Sequence, residues 1–174
     1  MWPCQNYQWA ALITWGQSLY ILVVFSRLRV LVAEDFAPFC QFICSMLATR
    51  ANLEVVCAVA DGLEAIQKAK VLEPDLVLLD IGLPTLNGIE AARQIRQLVP
   101  ESKIIFVSQE SSAEVVQEAF SLGAWGYVAK PRARLDILAA VDAALAGSRF
   151  VSAGLSIENL TDAGPRPLAA IKSS

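Results

Sequence analysis

The chain predicts an α/β domain built on a doubly wound parallel sheet, and three observations carry that prediction. Five short apolar runs follow Arg29, at 30–33, 55–60, 76–79, 104–107 and 126–129. Each is continuous rather than alternating, as expected of strands covered by helices on both faces. Segments of helical periodicity separate them, and this repeated alternation implies right-handed crossovers around one core. Residues able to do chemistry gather just past the runs. In such folds the functional crevice lies at the carboxyl ends of the strands, near the switch in strand order.

The helices are justified in turn. The first covers about 38–49. The second follows Asp61, whose carboxylate caps it, and Glu64 three residues on gives a capping-box-like pattern. The third, 87–98, sets Ile89, Ala92 and Ile95 on one side. The fourth starts near Ser111 or Ser112, with Glu114 in its first turn, and buries Val116, Ala119 and Phe120. The last, 134–146, offers Leu135, Leu138, Val141 and Leu145 as an inward stripe.

Composition narrows the chemistry. The 174 residues contain no histidine, which excludes histidine-based nucleophilic sites, histidine metal clusters and a phosphohistidine on this chain. Seventeen acids against 14 Lys plus Arg give a formal charge of −3, so no basic surface is demanded for nucleic acid. Cysteines at 4, 40, 44 and 57 lack a CxxC spacing. They read as reduced, small hydrophobic residues.

Residues 1–26 carry no charged side chain and include a largely apolar run at 9–25. A spanning helix needs about 20 apolar residues, with ~17 as the lower limit. The run stays open to three readings: a marginal membrane anchor, a packed or interfacial segment, or a non-native extension. Membrane contact follows only from the first. The expected division is therefore an extension at 1–26, the α/β domain at 27–148 and a flexible tail at 149–174.

Glu34 and Asp35 follow the first strand, Asp80 the third, Ser108 the fourth, and Lys130 with Pro131 the fifth. Three adjacent carboxylates repel one another unless a cation is present. An oxygen-only ligand set with few carboxylates suits Mg²⁺, which keeps waters and binds phosphate oxygens. Lys130 can pair with a carboxylate or a phosphoryl group, and Ser108 can donate to a phosphoryl oxygen. A carboxylate can also attack phosphorus to give an acyl phosphate.

The strings RVLVAEDFAPF, DLVLLDIGLPTLNGIEAARQIR, IIFVSQES and GAWGYVAKPR resemble, in order and spacing, the response-regulator receiver domain, with a chemotaxis-type flavour of the NarL/FixJ-like group. The resemblance implies a flavodoxin-like (βα)5 sheet of strand order 2-1-3-4-5. It implies that Asp80 accepts a phosphoryl group from a histidine kinase or phosphotransfer protein. Mg²⁺ would be held by Glu34, Asp35, Asp80 and the Gly82 carbonyl. Glu34 stands where the family often has aspartate, with a side chain long enough to reach the metal through water. Ser108 is the implied switch hydroxyl, Lys130 the implied lysine, and Tyr127 the aromatic switch. Lys130–Pro131 is implied to be cis, while Pro84 and Gly88 shape the loop after Asp80.

The implied mechanism is a two-state switch in the cytoplasm. Phosphorylation recruits Ser108 and Lys130, Tyr127 turns inward, and the face of helix four, strand five and helix five is remodelled for a protein target or a second copy. No enzymatic activity beyond phosphate acceptance and self-dephosphorylation is expected. The segment SRFVS resembles the start of a NarL/FixJ-type linker, but 28 residues from Gly147 are too few for the helix-turn-helix that follows it in that group. Direct nucleic-acid binding is not expected. The alternative is the receiver fragment of a truncated regulator of that type.

Overall fold

The computed structural model describes residues 27–155 and the backbone of two short strands, Leu12–Trp15 and Ser18–Ile21. These strands pair antiparallel, Leu12 with Ile21 and Trp15 with Ser18. The described part of the apolar run is therefore extended rather than helical. No helix among the described residues is long and apolar enough to cross a membrane. The rest of the expected extension, and the expected tail from residue 156 onward, lie outside the described residues.

From Leu28 the chain alternates as expected: β1 Leu28–Ala33, α1 Ala37–Leu47, β2 Leu53–Val59, α2 Gly62–Leu72, β3 Leu76–Leu79, α3 Gly88–Leu98, β4 Lys103–Ser108, α4 Ala113–Ser121, β5 Gly126–Ala129 and α5 Ala133–Leu145. The sheet is parallel in the order β2-β1-β3-β4-β5, the predicted arrangement. It then continues past the expected boundary at residue 148. A short strand, β6 Phe150–Val151, pairs parallel to β5, with Tyr127 opposite Val151.

Side-chain alternation divides the core between two layers. Leu31, Ala33, Val77, Leu79, Ile104, Phe106 and Tyr127 face α2, α3 and α4, where they meet Ile95, Val116 and Phe120. Val30, Val32, Leu76, Leu78, Ile105, Val107 and Val128 face α1 and α5, against Ile43, Leu47, Ile137 and Val141. All four residues of β3 are buried, which explains its unbroken apolar run; β2 is an edge strand and exposes Glu54 and Ala58.

The caps act locally. Asp61 Oδ1 accepts the Leu63 and Glu64 amides at 2.8 and 3.2 Å, and Asn87 Oδ1 accepts the Glu90 amide at 2.9 Å. On α3 the expected Ile89, Ala92 and Ile95 are buried, as are Val116, Ala119 and Phe120 on α4. The expected α5 stripe needs correction. Of the four expected residues Val141 is buried and Leu138 and Leu145 pack against the core half-buried, but Leu135 is 70% exposed, and the fully buried side is Ala133, Asp136, Ile137, Ala140, Val141 and Ala144. This helix is apolar almost all round, so periodicity selects no face. Its alanines meet the sheet instead, and a Cβ built on Gly126 would stand 3.6 Å from the Ala140 Cβ.

Candidate functional site

The ladder itself delivers the carboxylates to one edge. The Glu34 amide donates to Val59 O and the Asp80 amide to Ala33 O, both at 2.9 Å, so the residues past β1 and β3 stand side by side. Glu34, Asp35 and Asp80 each offer an oxygen within 4.8 Å of the others. Glu34 and Asp80 are buried, and Asp35 is exposed. Lys130 arrives from the end of β5. Its Nζ donates to Asp80 Oδ2 and Glu34 Oε1 at 2.8 Å, and sits 5.1 Å over the Phe39 ring. The Phe36 amide, at the start of α1, donates to Glu34 Oε1 at 3.2 Å.

One acceptor remains over. Glu34 Oε2 also lies 2.8 Å from Lys130 Nζ, but the ammonium's hydrogen bond is directed at Oε1, and buried Oε2 has no hydrogen bond. Burial pushes the Glu34 carboxyl above its ordinary value, the Asp80 charge adds to this, and Lys130 only partly opposes it. Burial alone would lower Lys130, but its hydrogen bonds to Asp80 and Glu34 outweigh that and hold the ammonium above its ordinary value. Two carboxylates thus share one ammonium with a third carboxylate, Asp35, close by, and the donor set suits a hard cation.

Gly82 and Gly88 approach Asp80 in different ways. A Cβ at Gly82 would lie 3.5 Å from Asp80 Oδ2, over the carboxylate. At Gly88 it would come within 1.9 Å of the Asp80 carbonyl oxygen, so close backbone approach rather than an unusual dihedral demands glycine there.

The cleft is lined by Asp35, Phe36, Phe39, Asp80, Gly82, Ser108, Gln109, Lys130 and Pro131. The structure therefore gathers every predicted site residue at one edge except Tyr127, which lies behind Ser108. Ser108 Oγ accepts the Glu110 amide at 3.1 Å, while the Tyr127 hydroxyl donates to Glu110 O at 2.8 Å. The expected switch has Tyr127 turning inward on phosphorylation; here its ring is already inside, 0% exposed. Burial pushes its phenol up to about 12, which keeps it a donor at neutral pH.

The expected cis Lys130–Pro131 bond is not found, since no peptide bond among the described residues is cis. Residues Lys130–Arg132 form a 3₁₀ turn, and Pro131 sits in its first turn with a preset φ. The X–Pro preference for trans, about 0.5–1 kcal/mol, then meets no opposition.

Sequence reading passed over Phe39 and Glu110. Phe39 occupies the i+4 position after Asp35, and Glu110 acts through its backbone, which leaves no side-chain signal. It also passed over Arg132, Asp136 and Ser152, joined by hydrogen bonds beside β5. The i,i+4 spacing of Arg132 and Asp136 was the available clue.

Residues 30–142 match a family model described as the response regulator receiver domain. The chain is 38% identical to chemotaxis protein CheY of Thermotoga maritima over 103 residues, 59% of this chain and 85% of that protein. It is 30% identical to the transcriptional regulatory protein LnrK of Bacillus subtilis over 78% of this chain and 61% of LnrK, so it spans less than two thirds of that relative. A LuxR-family two-component response regulator from Aurantimonas superposes with a TM-score of 0.71 at 31% identity, covering 75% of this chain and 93% of that one.

Proposed function

We propose a phospho-acceptor function for this chain, which belongs to the response regulator receiver domain family of two-component systems. An oxygen of the Asp80 carboxylate attacks phosphorus, and the P–N bond of a phosphohistidine on another polypeptide breaks. The imidazole leaves with the bonding electrons, and an aspartyl phosphate remains. The observation that carries this reading is the Lys130 ammonium, 2.8 Å from both Glu34 and Asp80, at an edge where oxygens of Glu34, Asp35 and Asp80 lie within 4.8 Å of one another.

Glu34, Asp35 and Asp80, with the Gly82 carbonyl, are the residues that would hold Mg²⁺, which supplies charge compensation for the phosphoryl group when bound. Lys130 follows the charge onto the phosphoryl oxygens. Ser108 would turn its hydroxyl to donate to a phosphoryl oxygen, and a shift of Ser108 would reach the Glu110 amide it accepts from, and through the Glu110 backbone Tyr127 and the face of α4, β5 and α5. The partners are a sensor histidine kinase or phosphotransfer protein and, at that face, a downstream protein or a second copy. The setting is cytoplasmic, and each chain stops after one phosphate.

Acetyl phosphate with Mg²⁺ tests this. One phosphoryl group should appear on the chain by mass spectrometry and disappear in Asp80→Asn; labelling of that variant at full rate overturns the assignment. A second reading, the receiver portion of a transcriptional regulator, is favoured by the LuxR-family match and by SRFVS, and an in-frame helix-turn-helix coding stretch after the codon for Ser174 would support it.

A further inference from the structure

A second buried polar cluster stands at the end of β5, and phosphoryl chemistry leaves it unexplained. Ser152 is 1% and Asp136 6% exposed. Ser152 Oγ donates to Asp136 Oδ2 at 2.6 Å and accepts the Ala129 amide at 3.0 Å. Arg132 grips the same carboxylate, with Nε 2.9 Å from Oδ2 and Nη2 3.3 Å from Oδ1. The Ser152 amide donates to Tyr127 O at 2.9 Å.

The arrangement answers a backbone need. The paired register of β6 ends at Val151, opposite Tyr127, so the Ala129 amide beyond it meets no strand carbonyl on that edge. The Ser152 hydroxyl takes the carbonyl's place. Only a group that accepts and donates at once can hold the amide and donate a hydrogen bond to Asp136. Ala129 immediately precedes Lys130, whose Nζ must reach Asp80 and Glu34 together.

We propose that Ser152 is a positioning residue of the phospho-acceptor site, acting through the Ala129 amide to set the backbone from which Lys130 reaches Asp80. This rests on the acceptor reading of Asp80. The sequence segment expected to be a loose tail thereby becomes part of the site's support.

The test uses the full chain, acetyl phosphate and Mg²⁺, well below the melting transition, with folding checked by circular dichroism. In the labelling step an Asp80 oxygen bonds to phosphorus and acetate leaves. Ser152→Ala should label about tenfold more slowly, less than the ~100-fold that a 1 Å misplacement can cost. Its Ala129 amide should exchange faster, and its Mg²⁺ affinity by calorimetry should stay near wild type. Ser152→Thr, which keeps the hydroxyl, should restore the rate. Val141→Ala, on the buried face of α5, should lose stability without losing rate.

Wild-type labelling with an unchanged rate in Ser152→Ala overturns this proposal alone. No labelling of the wild type overturns the acceptor reading, and this one with it. Should Ser152→Ala fail to fold, Asp136→Asn stands in. Its rate should fall several-fold, and a wild-type rate there overturns the proposal.

Discussion

The acidic centre and the Ser152 clasp meet at the end of β5, yet they settle their charges in opposite ways. At the centre, Glu34 and Asp80 share Lys130, Asp35 adds a third carboxylate within 4.8 Å of them, and Glu34 Oε2 has no hydrogen bond. In the clasp, both oxygens of Asp136 are taken by Arg132, and Ser152 adds a further bond. Burial works against both carboxylates. It wins at Glu34, which is held above its ordinary value, and loses at Asp136, which Ser152 and Arg132 hold below. A buried polar group left short of partners is costly, and such a deficit marks a place where a ligand can be accommodated. A fully satisfied cluster rigidifies what it joins.

Lys130→Met should give the largest effect. It leaves buried Glu34 and Asp80 without their cation, a loss of about 3–5 kcal/mol by analogy with broken buried pairs. Denaturant unfolding should show that loss, with millimolar Mg²⁺ recovering part of it. No recovery would mean that the carboxylates are not a cation site.

Asp136→Asn should cost about 1.5–3 kcal/mol at neutral pH, the range for hydrogen bonds to a charged group. Because its folded pKa lies below the unfolded value, the stabilisation is fully present above the unfolded value, near pH 4, and is lost as pH falls through the folded one. Urea unfolding of the variant and the wild type should therefore converge in acid. A deficit that stayed constant with pH would show that the clasp does not depend on charge.

The smallest effect has the opposite sign. Asp80→Asn, without Mg²⁺, should raise stability by about 1 kcal/mol, because one of three crowded carboxylates is neutralised. A lower melting temperature would erase the contrast between the two clusters.

The central strands were legible nearly to the residue. The runs at 76–79 and 126–129 coincide with β3 and β5, because covering both faces demands continuous apolarity. The polar residues of the candidate site were legible too, since its carboxylates, hydroxyl and lysine stand at or just past strand ends, whereas Phe39 and the Glu110 backbone left no such signal. α5 was harder. Its apolar residues surround the helix, so periodicity put Leu135 on the inward side, where the structure instead buries Asp136 and Ile137. β6 has only two residues, too few for any period to register.

The linear order of residues by itself determined the alternation of strands and helices, the parallel sheet and the edge where Glu34, Asp80 and Lys130 converge. These follow from local periodicity and from the rule that strand ends share an edge. Tertiary packing decided which face of α5 turns inward, how Lys130 divides itself between two carboxylates, and that Ser152 closes the sheet beyond β6. Those outcomes depend on which groups burial deprives of water and which partners then lie within reach, and no single segment of the chain contains that information.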